Sequence, residues 1–460
     1  MARSAAGTDG VDRIDGADRG ERLTFPAGFR WGVATSSHQC EGGNTANNWY
    51  AWEQAGHIKT GERAGLACDW WRNAERDFDL ARDLGLNALR LSVEWSRIEP
   101  RPGKWDGAAL TRYRQMLVGL HERGIEPMVT LHHFTNPLWF EERGGFLAAD
   151  AMERFDRFTE RVVTALGDLC DLWCTVNEPN VYAVQGYLFG AFPPGRKGDA
   201  LAVLRVQAAL ARAHAAAYRT IHRIQPAARV GWAQNVNIFD PAHPGNPFDR
   251  LAAGLQDATF NDFFPRAVAS GRAAFPLSLV AGDLRAVQDT CDYIGVNVYY
   301  RDLVAFDLRA PTELFGRRFA DPAGARSDQP IGAAWGEVYP DGLRRVALRV
   351  AALGKPIYVT ENGVADAADR LRPWQLALAV RALHAAITAG ADVRGYYHWT
   401  LVDNFEWSEG WKTRFGLVAL DPQTQTRTPR HSAALYGVIA RANALTPAML
   451  EEYAPAALDG

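Results

Sequence analysis

The sequence predicts an α/β protein, a (β/α)8 TIM barrel, on three observations. Eight short apolar runs recur along the chain, amphipathic helical stretches separate them, and no Gly-rich GxGxxG turn follows an early run. The runs lie at 29–35, 88–93, 127–132, 172–176, 230–233, 293–298, 357–360 and 395–398. Each is rich in Val, Ile, Leu or aromatics, as strands buried on both faces must be. Periodicity alone leaves a doubly wound sheet open, but the missing phosphate-binding turn removes the main reason to prefer one.

Between the runs, Leu110, Tyr113, Leu117 and Leu120 recur at helical spacing, and Gly124 stops that helix before Ile125. Phe155, Phe158, Val162 and Leu166 form a second stripe. Asp199 is placed to cap an Ala-rich helix reaching about Ile224, and Gly354-Lys355-Pro356 breaks another just before the seventh run. The intervals 36–75, 234–290 and 300–345 are long, and loops of that length usually carry function. Segment 1–22 is polar and rich in Gly, Asp and Arg, so it is expected to be a disordered tail before one barrel domain over 23–460.

Length alone would allow about three domains at roughly 150 residues each, yet α/β barrels grow as single units by extending their loops. A formal net charge of -3 with no basic stripe disfavours nucleic acid as a partner. Five scattered cysteines without a CxxC pair fit a reducing, cytoplasmic location. No run approaches the roughly eighteen uninterrupted apolar residues of a membrane-spanning helix, and no signal peptide is expected. Oligomeric state is left open, a homo-oligomer included. Fifteen Trp residues exceed ordinary core needs and suit a protein that stacks rings against flat ligand faces.

Barrel enzymes place their chemistry at the C-terminal ends of the strands. There the chain carries Gln39 and Glu41, Arg90, His132-His133, Asn177-Glu178, Asn297 with Tyr299, Glu361-Asn362, and His398-Trp399. Glu178 and Glu361 each close an apolar run, the fourth and the seventh, expected on facing sides of the barrel. Two such carboxylates suit glycoside hydrolysis, in which one attacks the anomeric carbon and the other protonates the leaving oxygen. That chemistry needs no metal or organic cofactor, and His132-His133 are adjacent rather than ligand-spaced.

Five motifs then carry a resemblance: FRWGVATSSHQCEG (29–42), TVNEP (175–179), IGVNVY (294–299), YVTENG (358–363) and DNFEW (403–407). In this order the chain resembles glycoside hydrolase family 1, the retaining β-glucosidases and their relatives, from about Leu23 to Val438. The resemblance implies the barrel, retention through a covalent glycosyl-enzyme, and a terminal non-reducing β-D-glycoside as substrate, a β-glucoside first. A β-galactosidase or β-fucosidase of broad specificity, or a transglycosylase using the same intermediate, is the alternative. It implies Glu178 as acid/base, with a raised pKa, and Glu361 as nucleophile, kept ionised by donors from Arg90 and Tyr299. Asn297 joins that supporting shell, and Asn177 resembles the residue that binds the sugar 2-hydroxyl. Gln39, His133, Glu406, Trp407 and Phe415 resemble the glycone site, Trp399 the floor under the sugar, and Trp335 the aglycone platform.

Relatives that take 6-phosphosugars place Ser, Lys and Tyr where this chain has Glu406, Thr413 and Phe415, which disfavours a phosphorylated substrate. Lys412 and Arg414 are the only nearby cations in that segment. Phe134 stands where an indole N–H is usual, which puts the choice among gluco, galacto and fuco sugars in question. Trp49, Trp70 and Trp71 fit either a hydrophobic aglycone site or core packing.

Overall fold

The structure, a computed structural model, describes residues 21–273, 278–328 and 336–458. Eight parallel strands close a barrel: β1 (Arg30–Ala34), β2 (Ala88–Ser92), β3 (Glu126–His132), β4 (Leu172–Asn177), β5 (Arg229–Asn235), β6 (Ile294–Asn297), β7 (Ile357–Asn362) and β8 (Val393–Trp399). Sequence neighbours are spatial neighbours, and β8 pairs with β1 to seal the ring, His398 opposite Val33. One side of each strand meets helices and the other fills the barrel. The apolar runs therefore do not alternate, and every residue of β4 and β7 is buried.

The main outer helices are α1 (Trp70–Asp83), α2 (Gly107–His121), α3 (Ala151–Leu166), α4 (Ala200–Ile224), α5 (Phe263–Ser270), α6 (Gly342–Ala351), α7 (Arg372–Thr388) and α8 (His431–Ala442). The side chains of both expected stripes, in α2 and α3, are buried. Asp106 caps α2 by accepting from the amides of Ala108 and Ala109, and Asp199 caps α4 through the amide of Ala202. Gly124 leaves α2 at φ 68, a conformation that glycine adopts at little cost.

Inside the barrel, the small side chains Ala34, Ala88 and Ala233 pack in one cluster with the larger Met128, Tyr293, Tyr358 and Tyr397. Gly32 belongs to the same fit, because a Cβ there would lie 2.7 Å from the Tyr397 ring.

Two expectations are corrected and one open choice is decided. The fifth strand does not stop at Ala233 but runs on to Asn235, since its ladder with β6 continues past the last apolar residue. β4 and β7 do not face each other: they are three places apart around the ring, with β5 and β6 between them. Of the two readings open for Trp49, Trp70 and Trp71, packing is the one that the structure favours, and none of the three lines the cavity at the strand ends. Trp49 is fully buried, Trp70 donates to Asp77 at 2.7 Å, and the Arg97 guanidinium lies over the Trp71 ring at 3.9 Å.

The long intervals have structure of their own. Residues 36–75 carry short helices Ser37–Cys40 and Asn48–Gln54. After β6, strand Tyr300–Phe306 pairs antiparallel with Gly316–Phe319 and Glu337–Val338, and parallel with Ile238–Pro241. Leu23–Thr24 pairs with Ala444–Leu445 across the outside of the barrel, while most of the expected tail, 1–20, lies outside the described residues. Among the described residues no helix is long and apolar enough to cross a membrane.

Candidate active site

The C-terminal ends of the strands open into a cavity of about 420 Å³, and both Glu178 and Glu361 line it. Their surroundings differ. Glu361 Oε1 accepts from Arg90 Nη1 at 2.6 Å, and Oε2 accepts from the Tyr299 hydroxyl at 2.7 Å. Burial raises its pKa above the ordinary carboxylate value, and Arg90 and Tyr299 oppose that rise without cancelling it. Arg90 is itself fully buried with Glu361 as its ion-pair partner, and its positive charge favours the ionised form of that carboxyl.

Among the described residues, the side-chain partners of Glu178 are amides rather than cations. Its Oε1 accepts from Asn297 Nδ2 at 2.8 Å and Asn235 Nδ2 at 2.9 Å. Burial, then the negative charge of Glu361, raises its pKa to about 8, against the pull of the two amides and Arg90. Because Oε1 already accepts two N–H groups, the proton of the neutral acid belongs on Oε2. Glu178 sits just past β4 at φ 45, in the left-handed region, and its amide donates to Ala233 O at 2.7 Å on β5.

Asn177 and Asn297 join the two carboxylates. Arg90 Nη2 donates to Asn177 Oδ1 at 2.6 Å, and Asn297 Nδ2 reaches the same oxygen at 3.2 Å. Thr360 donates to Asn297 Oδ1 at 2.6 Å, which fixes which end of that amide faces Glu178. By the same logic, Asn177 must present its NH2 to His133 Nε2, 3.0 Å away. The His133 ring proton then lies on Nδ1, which is buried without a partner, and burial holds the ring neutral.

His133 stacks with both Trp399 and Trp407, with ring centroids 5.9 and 6.0 Å away and planes 24° and 19° apart. Gln39 Nε2 donates to Glu406 Oε2 at 3.2 Å and to Phe405 O at 2.9 Å. Burial, then the charge of Glu361, raises the Glu406 pKa to about 8, with Trp399 and Gln39 opposing. Phe415 meets the Tyr299 ring edge-on at 6.0 Å. His133, Asn177, Tyr299, Trp399, Glu406, Trp407 and Phe415 line the same cavity as the two carboxylates. Arg90, Asn297 and Gln39 stand behind it, holding residues that do. Trp335 lies outside the described residues.

Asn235 was missed by sequence reasoning, as was Asn404, whose Oδ1 accepts from Gln39 at 3.3 Å. The pair Gln234-Asn235 at the end of an apolar run was the available signal for the first. Neither Lys412 nor Arg414 lines the cavity; Arg414 turns to Leu420 O at 2.9 Å and toward Asp403. Among the described residues no group of three or more His, Cys, Asp or Glu side chains could hold a metal ion.

Known proteins share this architecture along nearly the whole chain. The family model described as glycosyl hydrolase family 1 matches residues 21–445. A thermostable beta-glucosidase B of Thermobispora bispora is 34% identical, covering 93% of this chain and 93% of its own. A beta-galactosidase of Sulfolobus acidocaldarius is 32% identical, over 92% of this chain and 96% of its own. Among solved structures, a beta-glycosidase from Pyrococcus horikoshii superposes with a TM-score of 0.84 at 38% identity, over 94% of this chain and 98% of that one. With a closed eight-stranded barrel and a family match of this extent, the chain belongs to glycosyl hydrolase family 1 and is a retaining β-glycosidase.

Proposed function

We propose that this chain removes terminal non-reducing β-D-glucose from β-glucosides, with Glu361 as nucleophile and Glu178 as acid/base. The observation that carries the assignment is the unequal shell of the two carboxylates. Glu361 is bound to a buried guanidinium and a phenol, whereas Glu178 is bound by the amides of Asn235 and Asn297 and has its pKa raised to about 8.

In the first step a Glu361 oxygen bonds to the anomeric carbon as the glycosidic C–O bond breaks, and Glu178 gives its proton to the departing oxygen. The new ester removes the negative charge that had raised the pKa of Glu178. Its carboxyl becomes more acidic at the moment it must act as a base. In the second step it takes a proton from water as that water attacks the same carbon, which restores Glu361. Asn177, anchored by Arg90, is proposed to hold the sugar 2-hydroxyl.

His133, Glu406 and Trp407 form the proposed glycone wall, with Gln39 holding Glu406 from behind, Trp399 below the ring and Phe415 beside Tyr299. With a pKa near 8, Glu406 is largely protonated at neutrality and can both donate to and accept from one hydroxyl. A phosphate there would meet this carboxyl with no cation from Lys412 or Arg414. Trp335 is proposed for the aglycone side on the resemblance alone. A galactoside or fucoside preference is the second reading, favoured by the apolar Phe134 packed on Trp407 with ring centroids 5.3 Å apart. A reducing, cytoplasmic setting belongs to the same proposal, supported by five buried, unpaired cysteines.

The test is a panel of 4-nitrophenyl β-glycosides carrying gluco, galacto, fuco, manno and 6-phosphogluco sugars. The glucoside should give the highest kcat/KM and the phosphosugar no measurable turnover. A galactoside or fucoside ahead by tenfold would replace the glucosidase reading with the second one.

A further inference from the structure

The cavity that holds Glu178 and Glu361 does not end at the sugar site. Past Glu178 the chain turns through Pro179–Ala183 into a π-helical segment, Val184–Leu188, and presents Val181, Val184 and Leu188 to the cavity. Also on its wall are Ala200, Val203 and Leu204 from the first turns of α4, at the i, i+3, i+4 spacing of one helical face. Phe239 and Phe260 line it as well.

Apolar side chains form most of these walls, and Gln185, Gln207, Thr259, Thr312, Glu313 and Arg318 are polar side chains that line the cavity with them. Two of the amides along them are engaged. Asn237 Nδ2 donates to Asp302 at 2.6 Å, and Gln256 Nε2 donates to the carbonyls of Glu313 and Gly316. Apolar surface continues outside. Phe248, Leu251 and Leu255 are 58%, 57% and 39% exposed on helix Pro247–Phe260, the helix that also gives Gln256, Thr259 and Phe260 to the groove. Phe315, also exposed, directly follows the groove residue Leu314.

We propose that the aglycone this enzyme accepts is an unbranched alkyl chain, as in a long-chain alkyl β-glycoside, lying between the Val184–Leu188 segment and the start of α4. The assignment rests on the β-glycosidase reading above and specifies its leaving group. Hydrolysis releases the chain as an alkanol, protonated by Glu178. Each methylene that enters the groove leaves water, and a chain has no polar group to strand there.

The experiment compares kcat/KM for methyl, butyl, hexyl and octyl β-glycosides, all kept below micelle-forming concentrations. The sugar is the one chosen by the 4-nitrophenyl panel, and cellobiose is the saccharide control. These alkanols are leaving groups of similar acidity, so the series reads binding rather than intrinsic reactivity. The expected result is a rise of about two- to fourfold for each methylene that becomes buried, mainly through KM. Val184→Asn and Leu204→Asn, both at half-buried positions, should each reduce the octyl-to-methyl ratio by about fivefold or more. Thermal unfolding of each variant confirms that it folds, and the wild-type series stands whether or not it does. A flat series, a cellobiose kcat/KM at or above that of the octyl glycoside, or variants that leave the ratio unmoved would overturn the alkyl assignment alone. If no 4-nitrophenyl glycoside is turned over, the β-glycosidase reading falls and this assignment with it.

Discussion

Replacing Glu361 with Gln keeps the shape of the proposed nucleophile and removes its charge. Because that charge is the second cause of the raised Glu178 pKa, after burial, the substitution should lower it. Carboxyl groups about 5–5.5 Å apart, the spacing retention requires, repel by about 3 kcal/mol at an effective dielectric of 20, or about two pKa units. Asn235, Asn297 and burial are untouched, so the Glu178 pKa should fall from about 8 toward about 6. Carboxyl-13C NMR of glutamate-labelled enzyme measures this, with Glu178→Gln used to assign the resonance. In the wild type, the alkaline limb of kcat/KM should fall near pH 8, where Glu178 loses its proton. A Glu178 resonance that titrates at the same pH, or higher, in the Glu361→Gln enzyme would refute the coupling. It would also remove the account of how one carboxyl serves as acid and then as base.

Glu361→Gly should abolish hydrolysis, and azide should restore turnover with an inverted glycosyl azide, seen by proton NMR. Rescue of Glu178→Gly to an inverted product, with none at position 361, would exchange the two roles. Arg90→Met removes the ion-pair partner of Glu361 and a donor to Asn177; breaking a buried pair costs about 3–5 kcal/mol, so kcat/KM should drop by at least about a hundredfold. The acid limb of that variant should move to higher pH, because Glu361 loses the cation that favours its charge, and a limb that moves lower would contradict this. Glu406 is raised from 4.5 to about 8, so between those values the folded chain keeps a proton that the unfolded chain has lost. Its contribution is fully present below pH 4.5 and is lost as the pH rises through 8. Glu406→Gln should therefore raise Tm relative to wild type by more at pH 9 than at pH 5, and a pH-independent offset in calorimetry would count against the raised pKa.

Much of the fold was legible because its signals are local. The Leu110 and Phe155 stripes, the Asp199 cap and the eight apolar runs each depend on a few neighbouring residues. What was not legible depends on which strands are neighbours. Asn235 looks like a loop residue because apolar character ends at Ala233, but hydrogen bonding to β6 carries the strand two residues further and brings the amide to Glu178. The Trp residues were ambiguous because composition does not say which face an indole occupies: Trp49 packs in the core, while Trp399 and Trp407 line the cavity. Val181, Val184 and Leu188 have helical spacing in the sequence, but only the position of α4 makes them a groove rather than a core face.

The distinction between the two glutamates shows why the site is harder to read than the fold. Each ends an apolar run, and nothing within either run separates an acid from a nucleophile. The difference comes from elsewhere in the chain. Glu361 on β7 is held by Arg90 from β2, three places away around the ring through β8 and β1, and by Tyr299 just past β6. Glu178 after β4 is held by Asn235 and Asn297, the last residues of β5 and β6. A one-residue slip in β2 would turn Arg90 out of the barrel and leave both carboxylates buried without a cation. Their pKa values would then both rise, and neither could serve as the ionised partner. Barrel closure is therefore part of the proposed chemistry: it fixes the registers that give two similar strand ends opposite protonation states.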